Sequence, residues 1–160
     1  MVRAPLWAML SLAATLIWIS VEDVARLSFP IASVVILAGL CAAIAFWHGL
    51  PLWLHCAAAV GYAAFFAGLD WFLRKKPDSP ALGLGDSLLI GCGAILLGPS
   101  EPIQVILLAS VSGLLWIGLT KAAGHRPWRA PLPFGLFLSL GIWVTFLEPC
   151  LLYTSDAADD

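Results

Sequence analysis

A chain of 160 residues that is 61% hydrophobic and only 11% charged, with a mean hydropathy of +0.96, carries more apolar surface than a soluble domain of this size can bury. That excludes an ordinary soluble enzyme or binding module and predicts an integral membrane protein. The net charge of −2 becomes +1 without the three acids of the last five residues, Asp156, Asp159 and Asp160, and with no basic block nucleic acid is excluded as a partner.

Six apolar runs follow in chain order: Pro5–Val21, Pro30–Trp47, Leu52–Leu73, Leu82–Gly98, Ile103–Thr120 and Leu132–Leu147. Each has 16 to 22 residues, near the ~20 a helix needs to cross the hydrocarbon core. The pattern predicts an all-α polytopic bundle of six transmembrane helices forming one domain over residues 1–148. Pro5, Pro30, Pro51, Pro102 and Pro131 stand at or just before run starts, where a missing N–H costs nothing. Arg3 precedes the first run, but no A-x-A site follows it, so a span is favoured over a signal peptide. The glycines Gly39, Gly61, Gly91, Gly93, Gly113, Gly118 and Gly141 are expected to let helices approach closely.

Basic residues set the expected orientation. Arg26, then Arg74, Lys75 and Lys76, then Lys121, Arg126 and Arg129 fall in alternate loops, leaving only Arg3 on the other side. The positive-inside rule places these loops in the cytoplasm and both termini outside. Trp7, Trp47, Trp53, Trp71, Trp128 and Trp143 lie near run ends and read as interface anchors. Cys41, Cys56, Cys92 and Cys150 form no C-x-x-C pair and read as packing residues, so no metal or other cofactor is expected. His48, His55 and His125 read as interface or solvated groups. The polar tail, residues 149–160, reads as a non-native, adapter-derived scar.

The carboxylates carry the functional signal. The fourth run opens on Gly83-Leu84-Gly85-Asp86, and Asp86 is its only ionisable group. A carboxylate inside a span costs roughly 2.5–3.5 kcal/mol at mid-bilayer, a cost usually retained for function, and no basic residue stands within four positions to pair with it. Gly83 and Gly85 remove side chains beside it, so another backbone can come close. Asp23 lies just past the end of the first run, at a similar depth on the same side. Asp70 has Arg74 four residues on and Glu22 has Arg26, so local ion pairs account for both. Glu101 and Glu148 fall on the outer side. Two carboxylates meeting in a partly dry site cannot both ionise easily. One then serves as a base that takes a proton from water while the other supports the carbonyl oxygen under attack, the requirement of aspartyl proteolysis.

Gly83-Leu84-Gly85-Asp86 resembles the GxGD motif of intramembrane aspartyl proteases. Asp23 through Pro30 resembles the first-aspartate segment of type IV prepilin peptidases, and Pro133-Phe134-Gly135 with Phe137-Leu138 to Gly141 resembles that family's last helix. The resemblance implies an aspartic endopeptidase of the cytoplasmic (inner) membrane, acting at its cytoplasmic face. It would remove the short basic leader of prepilin-like proteins, a step in type IV pilus assembly and protein secretion. Asp23 and Asp86 match the catalytic pair, with Gly83, Gly85 and Pro30 as motif residues, and the partners implied are a prepilin-like peptide and the lipid bilayer. Lacking paired cysteines, the chain is similar to the short, peptidase-only branch rather than to the methyl-transferring members. It departs from the family at Leu88, where a Lys is usual, and at Ile31, where Asn is frequent. The competing readings are an inactive homologue serving as a membrane scaffold and a small proton- or ion-coupled transporter, in which acids would line a path through the bilayer.

Overall fold

A computed structural model describes residues 5–28, 30–73, 83–123 and 132–156, with side chains up to Glu148. The described residues form six helices: α1 (Leu6–Arg26), α2 (Ile31–Trp47), α3 (Leu52–Leu73), α4 (Leu84–Leu97), α5 (Pro102–Ala122) and α6 (Phe134–Asp156). α1, α3 and α5 are long and apolar enough to cross a membrane, whereas the apolar parts of α2, α4 and α6 are shorter. The chain is therefore all-α and that of a multi-pass membrane protein.

Element boundaries follow local chemistry. Pro5 and Pro30 occupy extended N-cap positions ahead of α1 and α2, and Pro102 is within the first turn of α5, where the absent N–H has no intrahelical role. Ser33 reinforces the start of α2, its hydroxyl donating to the Pro30 carbonyl at 2.7 Å. α1 runs five residues beyond the apolar run that predicts it. The reason is polar: Arg26 Nε donates to Glu22 Oε2 at 3.3 Å, an i,i+4 pair that keeps the last turn helical. Leu27 then ends the helix in the left-handed region at φ 53°, its N–H donating to the Asp23 carbonyl at 2.8 Å. Asp23 is thus on the last turn of α1 and not past its end.

α4 is the hub. It packs against α2, α3, α5 and α6, and Ser87, Leu89 through Ala94 and Leu96 are all buried on it. The remaining helices wrap around it in the order α3, α2, α1, α6, α5 by neighbour contacts. α1 reaches α2 and α6 but makes no close backbone approach to α4 among the described residues, so the helices that carry Asp23 and Asp86 meet through side chains of the shared core. The outer surface is apolar, with Ile31 73%, Phe46 76%, Trp71 80% and Leu114 68% exposed, as a lipid-facing surface requires.

Only some of the glycines expected to tighten the bundle do so. A Cβ on Gly141 would stand 2.7 Å from the Val105 carbonyl oxygen, and one on Gly91 3.1 Å from that of Ala59. Gly113 and Gly93 face side chains at 3.3 and 3.4 Å, while Gly39, Gly61 and Gly118 have nothing within 4 Å. The far end of α4 is pinned by polar bonds to neighbours. The buried His55 ring donates from Nδ1 to the Ile95 carbonyl at 2.9 Å, and the Tyr62 hydroxyl donates to the Pro99 carbonyl at 2.9 Å. Gln104 Nε2 donates to Glu148 Oε2 at 2.6 Å and ties α5 to α6.

Candidate active site

The last turn of α1 and the first turns of α4 and α6 meet at one end of the bundle. Asp23 arrives on α1, 5% exposed, while Asp86 arrives on the first turn of α4, half-buried. These two predicted residues stand at the same end of the bundle, near enough for the charge of Asp23 to act on Asp86. Main-chain N–H groups act on both. The Leu136 N–H donates to Asp23 Oδ2 at 3.2 Å, and the Gly135 N–H beside it is near enough to act on the same carboxylate. The N–H of Gly83, three residues back, acts on the Asp86 carboxylate in the same way.

Each of these contacts meets a group that a helix start leaves open. The first N–H groups of any helix lack intrahelical acceptors. Asp86 at the third position of α4 reaches back to its N-cap, which is half of a capping box. α6 begins after Pro133, which offers no side-chain acceptor, and Asp23 of α1 supplies one from another helix. The positive ends of two helix dipoles therefore converge on the two carboxylates.

Gly83 is the N-cap of α4 at φ −65° and ψ 144°, a conformation open to any residue. A Cβ there would meet Asp86 Oδ2 at 3.6 Å, an ordinary contact. Among the described residues, then, no contact demands glycine at 83. Pro30 begins α2 as its N-cap. Leu88 is 42% exposed and Ile31 73% exposed, so the two departures from the family pattern both stand at the surface.

Glu22, not Asp23, takes Arg26, so among the described residues Asp23 is in no ion pair. Asp70 is buried near the end of α3; its expected partner Arg74 and the Arg74–Leu82 segment lie outside the described residues. The same holds for Arg3, Lys75, Lys76, His125, Arg126, Trp128, Arg129 and Pro131. Among the described residues no three His, Cys, Asp or Glu side chains cluster as metal ligands would.

A groove of about 740 Å³ runs along the α1–α6 seam, and neither Asp23 nor Asp86 lines it. Leu16, Ser20 and Val24 line it from α1, and Leu136, Ser139 and Trp143 from α6. The Gly135 and Leu136 donors escape a reading of the sequence, because a backbone N–H has no residue signature. The one available signal is that α6 starts after a proline, with no side chain to cap it.

Comparison with known proteins follows the same direction. The chain is 36% identical over 106 residues to a "Type 4 prepilin-like proteins leader peptide-processing enzyme" of Escherichia coli O78:H11, a match covering 59% of this chain and 37% of that protein. It is 28% identical over 89 residues to a "Prepilin leader peptidase/N-methyltransferase" of Xanthomonas campestris pv. campestris, covering 56% of this chain and 31% of that protein. The chain thus spans about a third of the length of the curated relatives it matches. No protein-family model matches it, and no solved structure does. The chain is thus similar, over more than half of its own length, to two prepilin leader peptidases.

Proposed function

We propose that this protein is a membrane aspartic endopeptidase that cleaves the leader peptide of prepilin-like proteins, with Asp23 and Asp86 as the catalytic pair. The observation that carries the reading is the pair itself: two acids on non-adjacent helices, 63 positions apart in sequence, act on each other electrostatically at one end of the bundle. One carboxylate takes a proton from a water at the pair. The resulting hydroxide adds to the peptide carbonyl, the protonated partner supports the developing oxyanion, and the nitrogen leaves with a proton. The peptide must be extended at this point, since a helical carbonyl is engaged in the helix ladder. The reading covers peptide cleavage and not methyl transfer.

Asp23, Asp86 and Asp70 all stand at one end of the bundle. A transporter would need acids along a path through the bilayer; the one-ended arrangement favours a surface-facing hydrolytic site. By the distribution of Lys and Arg this end is cytoplasmic, and six spans place it at the inner face of the cytoplasmic membrane. Cysteines introduced at Lys76 and Glu101 are then expected to label from opposite sides of the membrane. Labelling from the same side would refute the six-span topology.

The direct test is cleavage of a co-expressed type IV prepilin in membranes. Asp23→Ala and Asp86→Ala are each expected to reduce processing by at least about 100-fold, the scale of lost acid–base catalysis. Asp70→Ala should remain within about tenfold of wild type. Normal processing by the Asp86→Ala protein would end the peptidase reading.

A further inference from the structure

The first turn of α6 carries no acid, base or nucleophile, yet it touches the site directly. Leu136 N–H donates to Asp23 Oδ2 at 3.2 Å across 113 positions of sequence, and the Gly135 N–H beside it is near enough to act on the same carboxylate. A carboxylate with no partner is free to swing about χ2, whose rotational preference is broad. A hydrogen bond from one residue of the α6 first turn, with the preceding N–H close by, narrows that freedom. We propose that the backbone N–H groups of Gly135 and Leu136 are positioning donors that hold the Asp23 carboxylate toward Asp86. α6 then sets whether the pair can act, although it contributes neither carboxylate. The inference rests on the peptidase reading above and adds a function for a third helix.

Two observations set positioning above simple capping. Asp23 is 5% exposed and Arg26 is engaged by Glu22, so among the described residues it is α6, through the Leu136 N–H, that orients the carboxylate. The same residue also meets the α1–α6 groove: Leu136 lines it with its side chain while its N–H holds Asp23. A displacement of α6 along this seam therefore moves the donor and the carboxylate together.

The test replaces the single N–H. Incorporating leucic acid, the α-hydroxy counterpart of leucine, at position 136 of the full chain keeps the side chain and exchanges the amide N–H for an ester oxygen. Cleavage of a full-length type IV prepilin in liposomes is expected to lose about 10- to 100-fold in kcat, because misplacing a reacting group by an ångström costs on that order. KM should stay within about twofold, the signature of an interaction that matters in the transition state. A purely structural cap would lower the folded fraction and leave kcat per folded molecule unchanged; that result, or wild-type kcat, overturns the proposal. Leu136→Pro is the genetic version. In the first helical turn proline removes no intrahelical bond, and Gly135 before it has no Cβ to clash with the ring. Should Leu136→Pro fail to fold, the ester decides. Asp23→Ala and Asp86→Ala are assayed alongside. Cleavage by these would remove the peptidase reading itself, whereas their inactivity beside a fully active ester would remove only the positioning role.

Discussion

Asp23→Asn is expected to leave the bundle intact and abolish prepilin cleavage. Asn matches Asp in shape and, like Asp, caps helix N-terminal N–H groups well. Its amide oxygen can take the Leu136 N–H that Asp23 Oδ2 accepts at 3.2 Å. A neutral acceptor forms a weaker bond than a carboxylate, so the stability loss should be about 1 kcal/mol. Cleavage, in contrast, should fall by about 10³-fold or more, since an amide cannot exchange a proton with water in the pair. Asp86→Asn is expected to do the same, and the double variant to be scarcely worse than either single one, because groups that act as a unit are lost together. The measurement pairs the melting temperature in detergent with the rate of prepilin processing. If Asp23→Asn melted normally and still processed prepilin at the wild-type rate, the carboxylate would be a helix cap and nothing more.

The second large effect lies away from the chemistry. Gly141→Ala puts a Cβ 2.7 Å from the Val105 carbonyl oxygen and 3.2 Å from Val105 Cγ1. The first is a backbone atom of a facing helix and cannot turn aside, so α5 and α6 must separate. Overpacking of this kind costs about 1–3 kcal/mol, and the backbone origin of the clash puts it at the upper end. In a bilayer no hydrophobic term holds helices together, and close packing is much of what does. The variant should therefore melt well below wild type. Gly118→Ala, with nothing within 4 Å, should melt as wild type does. Shortening Val105 to Ala should not rescue Gly141→Ala, because the carbonyl remains. Rescue would mean that the side chain, not the backbone contact, sets the helix spacing. Leu136 is five residues before Gly141 on the same helix, about 7.5 Å along its axis, so processing should fall with stability.

Which parts of this arrangement can be read from the residues depends on where the cause resides. The six helices are legible because bilayer thickness dictates the length of an apolar run, and each run is found as a helix, with ends displaced by at most five residues except at the end of α6, which runs nine residues past Leu147. The displacement at the end of α1 arises because Glu22 and Asp23 look like the end of a span while the Glu22–Arg26 pair continues it. The nearness of Asp23 and Asp86 follows from counting spans, which puts both at the same end. The glycines are only half legible: Gly91 and Gly141 face a neighbouring backbone while Gly39, Gly61 and Gly118 face nothing, and the difference lies in tertiary pairing rather than local sequence. The grip of α6 on Asp23 is invisible to residue-type reasoning, since its donors are main-chain atoms.

The bond between Asp23 and Leu136 joins the first helix to the last across 113 positions, and that separation has a consequence for biogenesis. Helices enter the membrane as they are synthesised, so α1 and α4 are inserted and paired with their neighbours while α6 is still being made. During that interval Asp23 has no α6 donor, and the nascent chain holds two acids without the element that aligns them. If the pair is the catalytic one proposed above, completion of the last helix is the event that arms it, and a partly made chain would be unable to cut the membrane proteins emerging beside it.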